Sequence, residues 1–218
     1  MSTQPERDVA SWRREYEDRG LRRSDLGDDP IVAFRGWLDD ARVAGLHEPN
    51  AMVVSSVGAD GPSSRMVLLK GLDHRGFVFY TNYDSRKGAE LTTDPSCALL
   101  FPWHPLERQV RVEGIATRTS AEESDAYFAS RPRPSQLGAR TSPQSRIVPS
   151  REYLEALFTR EHYRFVDQPA VPRSDNWGGI RIRPHRIEFW QGRPGRLHDR
   201  LRFDRADETT WAVERLAP

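Results

Sequence analysis

The spacing of apolar residues predicts a helix early in the chain and three more beyond it. Asp28-Asp29-Pro30 provides an acidic cap and a proline for a first turn, apolar residues then recur at helical spacing, and Gly45 marks the end. The other helices are predicted after Asp84-Ser85, from Ser120 toward Ser130 with Glu123 completing a capping box, and from Ser150 to Phe165.

Most of the remaining apolar residues form short runs separated by turns that contain glycine and aspartate, such as 58–61 and 73–76. This pattern is typical of an antiparallel sheet or barrel. The predicted strands are residues 51–57, 64–70, 77–81, 96–103, 109–117, 179–183, 186–190, 196–203 and about 211–216.

These elements predict one mainly β domain with peripheral α-helices over residues 29–218. Residues 1–28 are interpreted as a partly mobile arm with a short polar helical stretch around Trp12 to Tyr16. The proline- and arginine-rich segment 131–149 is predicted to be a loop, which its length marks as either functional or mobile.

Composition narrows the classes of function. The formal net charge is +1, so no overall field favours nucleic acid or an anionic membrane. The single cysteine, Cys97, excludes an intrachain disulfide and lies in an apolar run. No apolar stretch is long enough to span a bilayer, and the first ten residues lack the apolar part of a signal peptide, so we expect a cytoplasmic protein.

Lysine is scarce in this chain. Of the 33 basic residues only Lys70 and Lys87 are lysines. A bias toward arginine removes lysine wherever a planar guanidinium can serve, so the two that remain are candidates for positions that need a compact ammonium group. The alternative is that they survived by chance.

The segment Arg196-Leu-His-Asp-Arg200 is the densest cluster of candidate side chains. In a strand, Arg196, His198 and Arg200 share one face and form a surface for anion binding and proton handling. The pattern is also compatible with a solvated edge strand.

Arg65-Met-Val-Leu-Leu-Lys70 is an apolar run that begins and ends with a cation. A strand this apolar is expected to be buried on both faces, and buried cations need partners, of which a bound phosphate is one. Arg65 and Lys70 face opposite sides of a regular strand unless a bulge intervenes. Alternatively, both simply mark strand ends at the surface.

Two further clusters have the side chains that bind phosphate. Arg86 and Lys87 stand at a predicted helix start, where free backbone N–H groups favour anions, although a solvated first turn has the same pattern. Tyr127 and Arg131 share a helical face and Ser135 follows in the predicted loop, so the three could converge on another phosphate. A proline-rich connector is the alternative.

Fingerprints of other chemistries are missing from the sequence: it has no dinucleotide or P-loop motif, no metal-ligand spacing and no nucleophile elbow. An enzyme built on this chain would therefore need an organic cofactor. From about Arg13 to Pro218 the chain resembles the pyridoxine/pyridoxamine 5'-phosphate oxidase family. The motifs that carry the resemblance are Arg65–Lys70, Phe79–Asn82, Ser85–Lys87, Phe101–His104, Glu107–Val110, Ser130–Arg133, Ile187–Gly192 and Arg196–Arg200.

The resemblance implies an FMN-binding split β-barrel that forms a homodimer, with FMN at the subunit interface. By motif match, the residues implied to bind FMN are Arg65, Met66, Val67, Leu68, Lys70, Tyr80, Thr81, Arg86, Lys87, Gln109, Gln144, Ser145, Trp190 and Arg200.

The resemblance also implies the reaction: oxidation of pyridoxine or pyridoxamine 5'-phosphate to pyridoxal 5'-phosphate, with hydride transfer to the flavin and reoxidation by oxygen to hydrogen peroxide. Arg196 and His198 are the implied catalytic residues at the pyridine ring, and no metal, nucleic acid or membrane is implied. The residues implied to bind substrate are Arg14, Tyr16, Lys70, Tyr127, Arg131, Ser135, Arg196 and His198.

The chain departs from the family pattern before the first barrel strand, where it has Glu48-Pro49-Asn50 instead of Asp-Pro-Thr, and at Pro143 before Gln144. Three other functions are alternatives to the oxidase: a different FMN or deazaflavin split-barrel reductase, a non-catalytic module that binds pyridoxal 5'-phosphate, and a nucleic-acid binder. The joint presence of the Tyr127/Arg131/Ser135 cluster and the Arg196/His198 pair favours the oxidase.

Overall fold

The computed structural model describes Trp12 and residues 15–218. The described chain forms one antiparallel sheet of nine strands with helices around it. The strands are β1 (Ala51–Gly58), β2 (Gly61–Leu68), β3 (Gly71–Asp73), β4 (Gly76–Asn82), β5 (Ser96–Trp103), β6 (Arg108–Arg118), β7 (Trp177–Gln191), β8 (Asp199–Arg205) and β9 (Trp211–Leu216). The helices are α1 (Arg23–Leu26), α2 (Pro30–Val43), α3 (Arg86–Thr93), α4 (Ala121–Ser130), α5 (Arg133–Thr141) and α6 (Arg151–Phe165).

The sheet runs in the order β2-β1-β5-β6-β7-β4-β3, and β8 and β9 extend from β7. Leu69 and Lys70 join its two ends, because the Leu69 amide donates to Asn50 O and the Lys70 amide donates to Val78 O, both at 2.8 Å. The sheet therefore closes on itself as a barrel, which confirms the mainly β fold class predicted from the turns.

Strand β7 is long enough to serve two neighbours. Its first part, residues 177–182, pairs with β4, and its last part, residues 186–191, pairs with β8. The two strands predicted in this region are therefore one, and a register shift in β6 between Glu113 and Gly114 lies opposite the point where the pairing changes.

The core lies inside the barrel and is capped by α2. The Asp29 carboxylate accepts a hydrogen bond from the Ile31 amide at 2.7 Å, as expected for an N-cap. Phe34 of α2 is completely buried, and its ring centroid lies 4.9 Å from that of Phe77 and 4.7 Å from that of Phe101. Helix α2 thus adds its apolar face to the barrel interior, as its sequence pattern predicts.

The predicted loop 131–149 was wrong over half its length, because residues 133–141 form α5. Pro132 is the N-cap residue of this helix, and Pro134 lies in its first turn. The backbone N–H groups of a first turn have no hydrogen-bond partner within the helix, so proline loses no hydrogen bond there, and its fixed φ favours the helix. The prolines therefore start a helix here and do not mark a loop.

The strand predicted over 196–203 begins only at Asp199. Gly195 and Arg196 have φ of 63° and 64°, so the chain makes a tight turn before β8. The prediction that Arg196 and His198 share a strand face with Arg200 was therefore wrong. Leu197, which lies just before β8, is 73% exposed.

The run 65–70 is not buried on both faces. Strand β2 ends at Leu68 and lies at one end of the strand order, and its residues alternate between exposed and half-buried, with Met66 67% exposed. Arg65 and Lys70 both face the same cavity, described below, because Lys70 follows the strand and is not part of it.

Residues 15–28 pack against the C-terminal strands. Leu21 and Leu26 are buried, the Leu21 amide donates to Asp199 Oδ2 at 2.9 Å, and Arg215 Nη2 donates to Leu21 O at 2.8 Å. The predicted helix around 12–16 is absent at Trp12 and Tyr16, and Arg14 lies outside the described residues. None of the helices in the described part of the chain has the length and apolar character needed to cross a membrane.

Candidate active site

A cavity of about 850 Å³ lies where β2, β4 and the start of α3 face α4 and α5. It brings together most of the residues that the family resemblance implied. Those that line it are Arg65, Met66, Val67, Leu68, Lys70, Tyr80, Thr81, Arg86, Lys87, Tyr127, Arg131, Ser135, Gln144 and Ser145.

One end of the cavity holds three cations. Arg65 comes from β2, and Arg86 and Lys87 come from the first turn of α3, whose N-cap is Ser85. The Lys87 ammonium lies 3.1 Å from both Thr81 Oγ1 and Gln144 Oε1. Burial, and then the nearby charge of Arg65, lower the pKa of Lys87.

Helix α3 can begin at this position because residue 88 is glycine and has no side chain. A Cβ on Gly88 would lie 2.2 Å from the carbonyl oxygen of Tyr83, so only glycine allows the helix to start this close to the end of β4. The first turn of α3 is thereby held against the cavity, and both its dipole and its two cations favour an anion.

Glu90 is the counter-ion of this end. Ser56 and Ser63 donate to its Oε2 at 2.6 Å each, Arg65 Nη2 donates to Oε2 at 3.0 Å, and Arg86 Nε donates to Oε1 at 2.8 Å. Burial raises the pKa of Glu90, but these hydrogen bonds outweigh it and lower the pKa to about 2. Glu90 is therefore ionised at any physiological pH.

Aromatic rings form another wall of the cavity. Tyr80 stacks on Tyr127 with a centroid distance of 3.7 Å, and Trp177 is nearly parallel to both. The guanidinium of Arg131 lies 4.7 Å from the centre of the Trp177 ring.

Arg131 has an unused donor. Among the described residues, its Nη1 is the buried side-chain nitrogen that lacks a hydrogen-bond partner, and burial lowers the pKa of Arg131. A buried charged donor without a partner is costly, so an anion at this position would stabilise the site. Tyr127 and Ser135, the residues predicted to converge with Arg131 on a phosphate, line the same cavity.

Three of the remaining predicted residues form a separate group on β6, β7 and β8. Gln109 is paired with Trp190, and Trp190 with Arg200, so the three stand in one row across adjacent strands. Residues directly opposite one another in antiparallel strands project to the same face. Arg200 makes two hydrogen bonds to the buried carboxylate of Glu188, at 2.9 and 3.0 Å.

Tyr16 and His198 pack on this row. The His198 ring lies 4.7 Å from Trp190 and 5.6 Å from Tyr16, centroid to centroid. The backbone N–H of Arg193 donates to His198 Nδ1 at 3.1 Å, and burial together with Arg196 lowers the pKa of His198. His198 is therefore neutral at neutral pH and has its proton on Nε2.

The cavity and the row lie at different ends of β7. Trp177 lines the cavity and Trp190 belongs to the row, and thirteen residues of extended strand correspond to roughly 40 Å. The chain therefore does not bring Gln109, Trp190, Arg196, His198, Arg200 or Tyr16 into its own cavity.

Three residues that support the cavity were not predicted from the sequence: Glu90, Ser56 and Trp177. A weak sign of Glu90 was present, because it stands four residues after Arg86 on a predicted helix. Ser56 and Trp177 carried no local signal, since they are placed by strand pairing.

A phosphorylated ring cofactor fits this cavity, because cations stand at a helix start, Arg131 is a further buried cation, and aromatic rings form one wall. Together with the barrel, these features define the class of FMN-binding split β-barrel proteins. The family model described as pyridoxamine 5'-phosphate oxidase matches residues 38–167, and the one described as pyridoxine 5'-phosphate oxidase C-terminal dimerisation region matches residues 177–218. The chain belongs to the pyridoxamine 5'-phosphate oxidase family, and its cofactor is FMN.

Individual relatives agree with this assignment. The chain is 54% identical over 212 residues to a pyridoxine/pyridoxamine 5'-phosphate oxidase of Salinibacter ruber, covering 96% of this chain and 99% of the relative. It is 57% identical over 213 residues to one of Rubrobacter xylanophilus, covering 97% of each.

Solved structures support the fold. PhzG from Burkholderia lata, solved with tetrahydrophenazine-1-carboxylic acid, superposes with a TM-score of 0.84 at 33% identity, covering 92% of this chain and 98% of PhzG. An FMN-binding protein from Nostoc punctiforme has a TM-score of 0.66 at 17% identity, covering 85% of this chain and 97% of its own, which bears on the fold alone. The predicted split barrel is confirmed.

Proposed function

We propose that this protein oxidises pyridoxine 5'-phosphate and pyridoxamine 5'-phosphate to pyridoxal 5'-phosphate. The observation that carries the proposal is that one cavity has two separate sets of anion-binding side chains. Arg65, Arg86 and Lys87 form one set, and Arg131 with Tyr127 forms the other. Two sets suit two phosphate groups, one on the cofactor and one on the substrate.

In this proposal the first set holds the phosphate of FMN. Its Lys87 ammonium is fixed by Thr81 and Gln144, so it donates from a defined position. The second set, with Ser135 and Lys70, holds the substrate phosphate. The buried and unpartnered Nη1 of Arg131 supports this assignment, since a phosphate oxygen would satisfy it.

The functional unit in this proposal is a homodimer in which each site combines the cavity of one protomer with the row of its partner. The distance between Trp177 and Trp190 along β7 supports this arrangement, because one small ligand cannot contact both ends of a strand. The match of residues 177–218 to a dimerisation region supports it too. The row residues Gln109, Trp190 and Arg200 would then complete the flavin site from the partner side.

FMN, when bound, would supply the redox chemistry, which is oxidation of the exocyclic carbon by hydride transfer with dioxygen as the final oxidant and hydrogen peroxide as its product. The protein orients the substrate. Arg196 and His198 contact the pyridine ring in this proposal, with neutral His198 donating from Nε2 to an acceptor on the ring. The location of the reaction in the cytoplasm stays a prediction from the sequence.

The proposal is tested with the absorbance spectrum of the purified full-length protein in air-free buffer. Addition of pyridoxine 5'-phosphate, or separately pyridoxamine 5'-phosphate, is expected to bleach the flavin band. Oxygen is then expected to restore the band and to yield one hydrogen peroxide per aldehyde formed. Unphosphorylated pyridoxine at the same concentration is the matched control, and we expect it to bleach the flavin far more slowly.

Because the chain is similar to PhzG, the compound bound in the PhzG structure is the alternative substrate for this test. A flavin that ignores both phosphorylated compounds but is bleached by tetrahydrophenazine-1-carboxylic acid would overturn the proposal and assign the site to a reduced aromatic carboxylic acid. A flavin that responds to none of these compounds would overturn both assignments.

A further inference from the structure

Glu90 joins two arginines that come from different elements of the fold. Arg65 lies on β2, Arg86 lies in the first turn of α3, and each donates to a different oxygen of the Glu90 carboxylate, at 3.0 and 2.8 Å. Ser56 of β1 and Ser63 of β2 also donate to it, at 2.6 Å. A single buried side chain therefore fixes the helix start relative to the strands.

The carboxylate itself is behind the cavity. Arg65 and Arg86 line the cavity, but in the described chain the residues that line it do not include Glu90, which is only 7% exposed. The fold makes room for this side chain, because a Cβ on Gly58 would come within 2.9 Å of Glu90 Cγ. Glu90 can thus act on a ligand only through the cavity-lining residues that it holds, which are Arg65, Arg86 and Ser63.

The charges at this end match a phosphate monoester. Arg65, Arg86 and Lys87 are three positive charges, and the ionised Glu90 reduces their sum to two. A phosphate monoester has a charge of about −1.5 to −2 near neutral pH. Without Glu90 the three cations would repel one another and the two arginines would lose their common anchor.

We propose that Glu90 is a positioning residue for the phosphate of FMN: it holds Arg65 and Arg86 at the cavity and thereby sets the preference of the site for FMN over riboflavin. This inference rests on the assignment, proposed above, of these arginines to the FMN phosphate.

Replacement of Glu90 by glutamine tests the geometry at almost constant size. Each carboxylate oxygen accepts at least one hydrogen bond, from Arg86 on Oε1 and from Ser56, Ser63 and Arg65 on Oε2. A glutamine amide offers only one acceptor oxygen, so its NH₂ group must face a donor on one side. At least one arginine is therefore released in the Glu90→Gln variant.

The measurement is the dissociation constant of FMN and of riboflavin for the full-length protein after removal of its flavin, from quenching of flavin fluorescence. We expect Glu90→Gln to raise the dissociation constant of FMN by about tenfold or more, because charged hydrogen bonds are lost. The dissociation constant of riboflavin should change by less than about threefold. A general loss of folding would weaken the binding of both flavins, so the ratio of the two dissociation constants reports the contribution of the phosphate alone.

Glu161→Gln is the matched control. Glu161 is also a buried helical glutamate that accepts from two arginines, Arg140 at 3.2 Å and Arg164 at 3.5 Å, and neither arginine lines the cavity in the described structure. We expect its ratio of FMN to riboflavin affinity to equal that of the wild type.

A double-mutant cycle with Arg86→Gln tests whether Glu90 acts through Arg86, whose side chain is about half-exposed. We expect the double variant to bind FMN more tightly than additive effects allow. If Glu90→Gln does not fold, Ser56→Ala decides instead, since Ser56 links Arg65 and Glu90 without lining the cavity; it is expected to lower the preference for FMN by about threefold.

An unchanged FMN-to-riboflavin ratio in Glu90→Gln, or strictly additive effects in the cycle, would overturn the positioning role. Failure of the underlying assignment is distinguishable, because then Arg86→Gln by itself would also leave the FMN-to-riboflavin ratio at the wild-type value.

Discussion

Trp177 and Trp190 stand at the two ends of the same strand, β7, and each belongs to a different half of the candidate site. Trp177 stacks beside Tyr80 and Tyr127 in the cavity, whereas Trp190 packs against His198 in the row on β6–β8. Because thirteen residues of strand separate them, a ligand in contact with both halves needs two copies of the chain.

Complementation between inactive protomers tests this arrangement. Arg131→Ala removes a cavity residue and Arg196→Ala removes a residue beside the row, and we expect each homodimer alone to lose nearly all turnover. When the two variants are mixed and reassembled, half of the dimers are mixed, and in each of them one of the two sites is intact. Turnover is then expected to recover to about a quarter of the wild-type value.

The control for that experiment mixes two variants of the same half, Arg131→Ala and Tyr127→Phe. Both side chains line the same cavity, so no mixed dimer contains an intact site beyond what Tyr127→Phe retains by itself. Absence of recovery with Arg131→Ala and Arg196→Ala would mean that one protomer supplies both halves.

Arg131 allows a test of the substrate phosphate alone. Its Nη1 is buried without a partner, and Trp177 supports the guanidinium from one side. Arg131→Lys keeps the charge but loses the planar donor, so we expect KM for pyridoxine 5'-phosphate to rise by about tenfold to a hundredfold while the FMN dissociation constant stays unchanged. Equal weakening of substrate and FMN would contradict the separation into two anion sites.

Much of the framework was predictable because local patterns decide it. The turns at 58–61 and 73–76, the N-cap at Asp29, and the strands 96–103 and 211–216 appear as predicted, since each depends on residues next to one another in the chain. The family resemblance also named most of the residues that line the cavity, although not Trp177.

The errors arose where context overrides local pattern. Pro132 and Pro134 start α5 because a first turn needs no amide donor, whereas proline richness alone indicated a loop. Arg196 leaves the strand because of the left-handed turn at Gly195, which no periodicity reveals. Glu90 was missed because its partners come from β1, β2 and α3, and only the folded chain brings them together.

Phe34 is expected to be a main anchor of α2 on the barrel. Its ring is completely buried against Phe77, Phe101 and Trp103. Phe34→Ala leaves a cavity that these rings cannot fill, so we expect the free energy of unfolding to fall by about 3–5 kcal/mol in denaturant titration. Val32→Ala on the same helix is the control: Val32 is 62% exposed and should change stability by less than about 0.5 kcal/mol.

The pH dependence of His198 follows from its surroundings. The Arg193 N–H donates to Nδ1, so protonation of that nitrogen would put two donors face to face, and both burial and Arg196 lower the pKa of His198. The folded pKa thus lies below that of unfolded histidine. The neutral form contributes stability above the unfolded pKa, and this contribution is lost as pH falls through the folded pKa, where the unfolded chain binds the proton more readily.

We therefore expect that the titration of His198 does not change the turnover of the flavin-loaded protein near neutral pH. Turnover should fall only in acid, below the ordinary pKa of histidine. An NMR titration of His198 should show the Nε2-protonated neutral ring at pH 7 and a midpoint below the ordinary value. His198→Asn is the variant to compare, because it can donate to a ring acceptor but does not titrate; its acid limb should flatten while the neutral-pH rate decreases. A His198 midpoint above the ordinary value would contradict the assigned tautomer and make the side chain a cation toward the substrate.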